Sequence, residues 1–291
     1  MSIVYESRYA SSPQAVKKYD TTELRDEFLI DDLMQDGKIK ITYTHYDRYL
    51  AGGAVPTGAL TLESIDPLKA DYFLERREIG IINVGGAGSV EVDGTTYELN
   101  LKDALYIGKG AKEVIFKSNN ANSLAKFYFN SAPAHHSYPT KKVSLAEANK
   151  IELGSFETAN HRIVSQMIIG GVVTTCQLQM GMTELKEGSV WNTMPAHVHD
   201  RRMEIYFYLD VPEGHSVCHF MGQPQETRHI WMQNHEAVIS PPWSIHSGSG
   251  TSNYTFIWGM AGENLDYNDI CLLYTSPSPR EQRGSRMPSS A

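Results

Sequence analysis

The sequence predicts an all-β protein, built of two similar modules in tandem with few short helices. Three observations predict it. Short runs of β-branched and aromatic residues recur between Gly, Asn, Asp and Pro, stretches of helical period are rare, and a segment of the first half is echoed in the second. Along the chain, Thr21-Thr-Glu-Leu-Arg-Asp-Glu-Phe-Leu has apolar residues three to four apart, which predicts a helix capped by Thr21 or Thr22. Strands are predicted at Ile79–Val84, at Ser89-Val-Glu-Val before the Asp93-Gly94 turn, and at Ala104–Ile107. A second short helix is expected near Ser144-Leu-Ala-Glu-Ala-Asn. Cys176-Gln-Leu-Gln-Met180 alternates between two faces, and Glu204–Leu209 and Tyr254–Trp258 are strongly strand-like.

The repeat sets the expected domain plan. Phe73-Leu-Glu-Arg76-Arg77-Glu-Ile-Gly echoes Val198-His-Asp-Arg201-Arg202-Met-Glu-Ile, and Asp103-Ala-Leu-Tyr-Ile-Gly-Lys-Gly echoes Glu236-Ala-Val-Ile-Ser-Pro-Pro-Trp. The expected modules are residues 1–140 and 141–270, divided near the proline-containing stretch Ala132–Lys142. From 271 to 291 the composition changes abruptly to Ser, Pro and Arg. That stretch resembles a translated sequencing adapter and is expected to be a non-native, disordered tail.

A formal charge of −8 argues against a nucleic acid or an anionic membrane as partner, though local arginines can still bind an anionic substrate. The tail holds three arginines and one glutamate, so without it the chain is more acidic still. The first residues have no signal-peptide core, no stretch is long enough to span a membrane, and three cysteines form no even disulfide framework. These features lead to the expectation of a cytoplasmic chain.

The chemistry concentrates in the second half. His197 and His199 are two residues apart, so on a strand both imidazoles point to one face, whereas on a helix they would diverge by about 160°. Glu204 follows after the polar stretch Asp200–Met203, and His246 follows in Pro-Pro-Trp-Ser-Ile-His. Three imidazoles and one carboxylate suit Zn²⁺, Fe²⁺, Mn²⁺, Co²⁺ or Ni²⁺, with one or two coordination positions open for water or substrate. In the repeat register Tyr72, Leu74 and Glu113 stand where His197, His199 and His246 stand, so the first module is expected to serve as scaffold and interface.

The His-x-His, Glu and distant His on successive strands resemble the cupins, whose module is a double-sheet β-barrel. A more specific likeness spans residues 20 to 269. Phe73-Leu-Glu-Arg-Arg-Glu, Tyr106-Ile-Gly-Lys-Gly-Ala-Lys-Glu, Trp191-Asn-Thr-Met-Pro, Met221-Gly-Gln-Pro-Gln-Glu-Thr-Arg-His and Ile239-Ser-Pro-Pro-Trp-Ser-Ile-His-Ser-Gly resemble the 5-keto-4-deoxyuronate isomerase family, also called 4-deoxy-L-threo-5-hexosulose-uronate ketol-isomerases. The resemblance implies two cupin-like barrels and one Zn²⁺ per chain on His197, His199, Glu204 and His246. It also implies a homo-hexamer acting on small anionic sugars from pectin and other polyuronides.

Such a reaction moves a proton between adjacent carbons through an enediol, which needs a general base and a cation for the substrate carboxylate. Glu226, Tyr206 and Lys109 are candidates for the proton transfer. Tyr206 shares face parity with Glu204. Arg228 is the first candidate for the carboxylate and Arg202 the second, since a guanidinium binds a carboxylate in two-pronged fashion. Three other readings share the ligand set: an isomerase of 5-deoxyglucuronate in inositol breakdown, an Fe²⁺ cupin dioxygenase, and a non-catalytic sugar-binding cupin.

Overall fold

The computed structural model describes residues 3–263 and the strand Cys271–Leu272. Strands dominate, and they form two copies of one plan, a seven-stranded sheet with a four-stranded sheet. In the first copy the large sheet runs in the order Ile3–Arg8, Ile39–Thr44, Leu50–Ala54, Phe127–Pro133, Arg77–Asn83, Ala104–Ile107, Lys141–Val143. Its small sheet holds Leu60–Thr61, Val114–Ser118, Gly88–Val92 and Thr95–Leu99. In the second copy the large sheet runs Asn149–Leu153, Arg162–Ile168, Gln179–Leu185, Thr255–Gly262, Arg202–Leu209, Ala237–Ser240, Leu29–Ile30. Its small sheet holds Trp191–Asn192, Ser247–Gly250, Val217–Gln223 and Glu226–Met232. The sheets do not close, so each module is an open double sheet rather than a sealed barrel.

The repeat register read from sequence is the register of the sheets. Arg77 pairs with Pro133 at one end of the first module's central strand, as Arg202 pairs with Gly262 in the second. Ile82 pairs with Ala104, as Phe207 pairs with Ala237. Ile79 therefore stands in the place of Glu204 and Ile81 in that of Tyr206.

Alternation along these strands builds two cores. Ile79 and Ile81 point between the sheets of the first module and join Val90, Phe116, Phe127 and Phe129, all buried. The other face, with Ile82, Tyr106 and Tyr128, packs against the second module in a core continuous with Ile168, Met180 and Phe207. There Tyr128 stacks on Phe207 with ring centroids 4.3 Å apart. The large sheets approach so closely that a β-carbon at Gly259 would collide with Asn130 Oδ1, and one at Gly80 with Met180 Sδ. Glu78, buried beside them, accepts hydrogen bonds from Tyr106 Oη (2.7 Å) and from the backbone N–H groups of Cys176, Gln177 and Leu178 (2.8, 2.9 and 2.9 Å).

Four local expectations change. The helix Thr21–Phe28 is capped by Asp20, not by Thr21 or Thr22, in a reciprocal box with Glu23. No helix follows Ser144. Glu147 satisfies the Ser144 N–H as a cap would (2.9 Å), but Asn149–Leu153 then enters the sheet beside Arg162–Ile168 and ends the turn. The chain also crosses the boundary expected at residue 140. Lys141–Val143 pairs with Ala104–Tyr106 in the first module, and Leu29–Ile30 pairs with Ala237–Val238 in the second. Finally, Cys271–Leu272 pairs antiparallel with His197–Val198, so these two residues belong to the fold rather than to a foreign tail. Residues 273–291 lie outside the described residues. Among the described residues, no helix is long and apolar enough to cross a membrane.

Candidate metal centre

His197 opens the two-residue strand His197–Val198, Glu204 is the third residue of Arg202–Leu209, and His246 immediately precedes Ser247–Gly250. The fold brings all of them together. His246 Nε2 lies 3.1 Å from His197 Nε2. Glu204 Oε1 lies 3.0 Å from His199 Nε2 and 3.5 Å from His246 Nε2. An ion about 2.0–2.1 Å from each donor holds neighbouring donors roughly 3 Å apart, so these spacings fit the edges of a coordination sphere. His197, His199 and His246 form a group that can hold a metal ion. The His197 Nδ1 sits 3.2 Å from the Pro195 carbonyl oxygen, and a hydrogen bond donated there leaves Nε2 bare for the ion.

The electrostatics suit a cation. Burial pushes the Glu204 carboxyl up, but His246, His199 and His197 outweigh it and hold the group well below the usual carboxylate range. Burial lowers His197, and pushes His246 down to about 3. Glu204 thus brings a negative charge into a group of imidazole donors, a setting that favours a divalent cation.

His197, His199 and Glu204 line a cavity of about 200 Å³ that is also lined by Arg162, Thr183, Arg202, Tyr206 and Trp258. Arg202 is 2 % exposed and two residues before Glu204 on the same face of its strand. Tyr206, two residues further, has its hydroxyl 3.1 Å from Thr193 Oγ1 and its ring centroid 5.6 Å from that of His246. Behind it lies His219, fully buried, with Nδ1 2.8 Å from Tyr208 Oη and ring centroid 5.7 Å from Tyr206. Burial brings His219 down to about 3, so it is neutral at this site.

Three candidates lie elsewhere. Arg228 donates to the Lys17 carbonyl oxygen (2.6 Å) at the end of the helix Pro13–Val16 and pairs with Glu226 at 2.9 Å. Both sit on Glu226–Met232, the edge strand of the small sheet, and neither lines the cavity. Lys109 belongs to the first module, where its carbonyl accepts from Ser137 Oγ, and does not line the cavity either. Trp191 and Trp243 pack, the first stacked on Phe220 and the second edge-on to Phe28. Sequence reasoning missed Arg162, Thr183, Thr193 and His219. None has a partner at ligand spacing, and their strand faces are set only by how the sheets meet.

An open double sheet that carries a glutamate on a central strand and gathers three imidazoles beside it, a group that can hold a metal ion, is a cupin-like module, here the second of two. The KduI/IolB family profile matches residues 28–272, and the chain belongs to that family. A protein of Formosa agariphila called 4-deoxy-L-threo-5-hexosulose-uronate ketol-isomerase is 78% identical over 271 residues, 93% of this chain and 97% of that protein. Namesakes from Bacteroides thetaiotaomicron and Caldicellulosiruptor bescii are 56% and 52% identical, covering 92% and 95% of this chain and 96% and 99% of theirs. Among solved structures, an IolB-like protein of Salmonella typhimurium superposes with a TM-score of 0.63 at 15% identity, over 77% of this chain and 86% of that one. An oxalate decarboxylase of Bacillus subtilis does so with a TM-score of 0.54 at 10% identity, over 83% and 76%. Both share the fold.

Proposed function

We propose that this chain is a metal-dependent ketol-isomerase that converts 5-dehydro-4-deoxy-D-glucuronate to 3-deoxy-D-glycero-2,5-hexodiulosonate in the breakdown of pectin and related polyuronides. The observation that carries the reading is the meeting, in one cavity, of His197, His199 and Glu204 with two arginines and a tyrosine, with His246 completing the cluster within 3.5 Å of Glu204. The relatives at 52% to 78% identity that bear the ketol-isomerase name support the substrate.

When bound, a divalent ion supplies Lewis acidity toward the carbonyl and hydroxyl oxygens of the substrate. The chain's own residues bind, orient and shield the substrate. His197, His199, Glu204 and His246 would hold that ion, with zinc the resident species at one per chain; the donor set suits it. Arg202, joined by Arg162, holds the substrate carboxylate and so fixes which end of the sugar faces the cluster. The Tyr206 hydroxyl, oriented by Thr193, holds the proton that shifts between neighbouring oxygens. Phe256, Trp258 and Met260 wall the cavity and keep bulk water from the reacting carbons.

The test is an assay on the product of a polyuronide lyase, with and without chelator. Turnover that stops with chelation and returns with Zn²⁺ is the expected outcome. Turnover of 5-deoxyglucuronate in its place, or iron-dependent O₂ consumption, would replace this reading.

A further inference from the structure

The first module has a cavity of its own, about 190 Å³, bounded by Arg48, Arg76 and Arg77 and walled by Tyr43, Phe73 and Pro133. We propose that it is a second binding site, for the carboxylate of a small organic acid of sugar size. Arg77 carries the argument. Its residue is only 5 % exposed, yet its hydrogen bonds go to neutral oxygens: Nε to Ser131 Oγ at 3.1 Å, Nη2 to the carbonyls of Ser131 and Arg48 at 2.7 and 2.8 Å. Among the described residues no carboxylate lies within ion-pair distance of it, and its hydrogen bonds there use Nε and Nη2. Burial draws Arg77 down to about 10, so it keeps its charge at neutral pH. Glu78 favours the charge from a distance, but among the described residues no carboxylate pairs directly with Arg77; a buried cation without a contact ion pair is costly, and an anion entering the cavity offsets that cost.

The surroundings add to this. Arg48 and its neighbour Asp47 both adopt left-handed backbone (φ 52° and 49°), a conformation non-glycine residues seldom hold and one that clusters at ligand clamps. That turn places the Arg48 carbonyl on Arg77. Arg76 meets one carboxylate, Glu75 at 3.2 Å, but as a surface pair with Arg76 65% exposed it holds weakly and yields to a better anion. The aromatic and proline walls suit the carbon body of a sugar acid, and the guanidinium forks suit its carboxylate.

The repeat tells what this site does not do. Arg77 stands in the register place of Arg202, but Leu74 and Ile79, both 0 % exposed, stand in those of His199 and Glu204 and fill the interior. The first module has kept the anion-facing end of the plan and closed the reacting end, so the acid binds without turnover. Arg77's own surroundings support this whatever Arg202 binds.

Calorimetric titration of the metal-loaded protein with D-glucuronate tests it, beside D-glucose and inorganic phosphate, on the wild type and on Arg48→Gln/Arg76→Gln. Both replaced side chains are exposed, so folding is expected to hold. The wild type should show one binding site per chain more than the variant, or an affinity at least tenfold higher at that site, with isomerase kcat/KM equal in the two. Glucose should not bind there. Superimposable glucuronate isotherms overturn the proposal, and phosphate binding without glucuronate binding overturns the assignment to organic acids. Should the double variant fail to fold, crystals of the wild type soaked in glucuronate decide: density between Arg48, Arg76 and Arg77 supports the site, and its absence refutes it.

Discussion

Replacing Arg202 by lysine separates charge from geometry in the metal cavity. Arg202 begins the strand that carries Glu204 and lies on the same face, so at about 3.3 Å of rise per residue its Cα is roughly 7 Å from that of Glu204. That span is comparable to the length of a six-carbon acid from its carboxylate to its carbonyl end. Lysine keeps the charge and, at this buried position, loses the fork. One charge-assisted hydrogen bond contributes about 1.5–3 kcal/mol, so kcat/KM for the uronate should fall roughly ten- to a hundredfold. Bound metal should not change. A neutral aldose analogue lacking the carboxylate, turned over slowly by the wild type, should be turned over equally slowly by the variant. Arg228→Lys is the control. Its guanidinium serves Glu226 and the Lys17 carbonyl, so uronate kinetics should stay within about twofold of wild type. Intact uronate kinetics in Arg202→Lys, or an equal loss on the neutral sugar, would refute the carboxylate anchor.

Single replacement of His197, His199, Glu204 or His246 by alanine should remove most bound metal and nearly all turnover; full activity in two of the four would sink the ligand set, and elemental analysis should find one ion per wild-type chain. Glu78→Gln should lower Tm by roughly 4–10 °C, because charge-assisted bonds to four donors weaken by about 2–3 kcal/mol in all, and an unchanged melting curve would show that the carboxylate is dispensable. His235, pushed down to about 4 first by burial and then by Lys126, gives a pH signature. Between about pH 6.5 and 4 the unfolded chain binds a proton there and the folded one does not, so stability falls as pH drops through that window. Asparagine tolerates the left-handed backbone of this position (φ 66°), and denaturation midpoints of His235→Asn should fall less steeply from pH 7 to 4.5. We propose the six-chain assembly that the family resemblance implies: light scattering should give a mass of six chains, and a monomer at micromolar concentration would end that proposal.

The metal cluster was legible because its signal is local. Two histidines at strand spacing and a glutamate at the start of the next strand share a face through period-two geometry, and the Pro-Pro-Trp-Ser-Ile-His run marks the fourth ligand just before the fourth strand beyond it. Strand alternation likewise exposed the all-β architecture, and the Arg76-Arg77/Arg201-Arg202 echo exposed the duplication. Arg228 could not be placed this way, because the partner that turns its guanidinium outward is Lys17, 211 residues away. Arg162 and His219 were silent for the same reason: an arginine at a strand start and a lone histidine acquire their positions only when the sheets meet. Ser144–Glu147 shows the converse. A local signal for a helix start was real as a hydrogen bond and still lost to the sheet pairing of the residues that follow.

The exchange of short strands between the modules bears on how the protein came to be and how it can be cut. Leu29–Ile30 comes from the first half and borders Ala237–Ser240, while Lys141–Val143 leaves the first half only after closing the edge beside Ala104–Ile107. A gene split at residue 140 would yield two polypeptides, each with a bare β-edge shaped for the other. Such fragments are candidates for complementation on mixing and for aggregation when expressed alone. The same clasp makes the first module part of the metal module's sheet, so the half without the metal ligands cannot drift freely or be shed: the two copies are bound to change together.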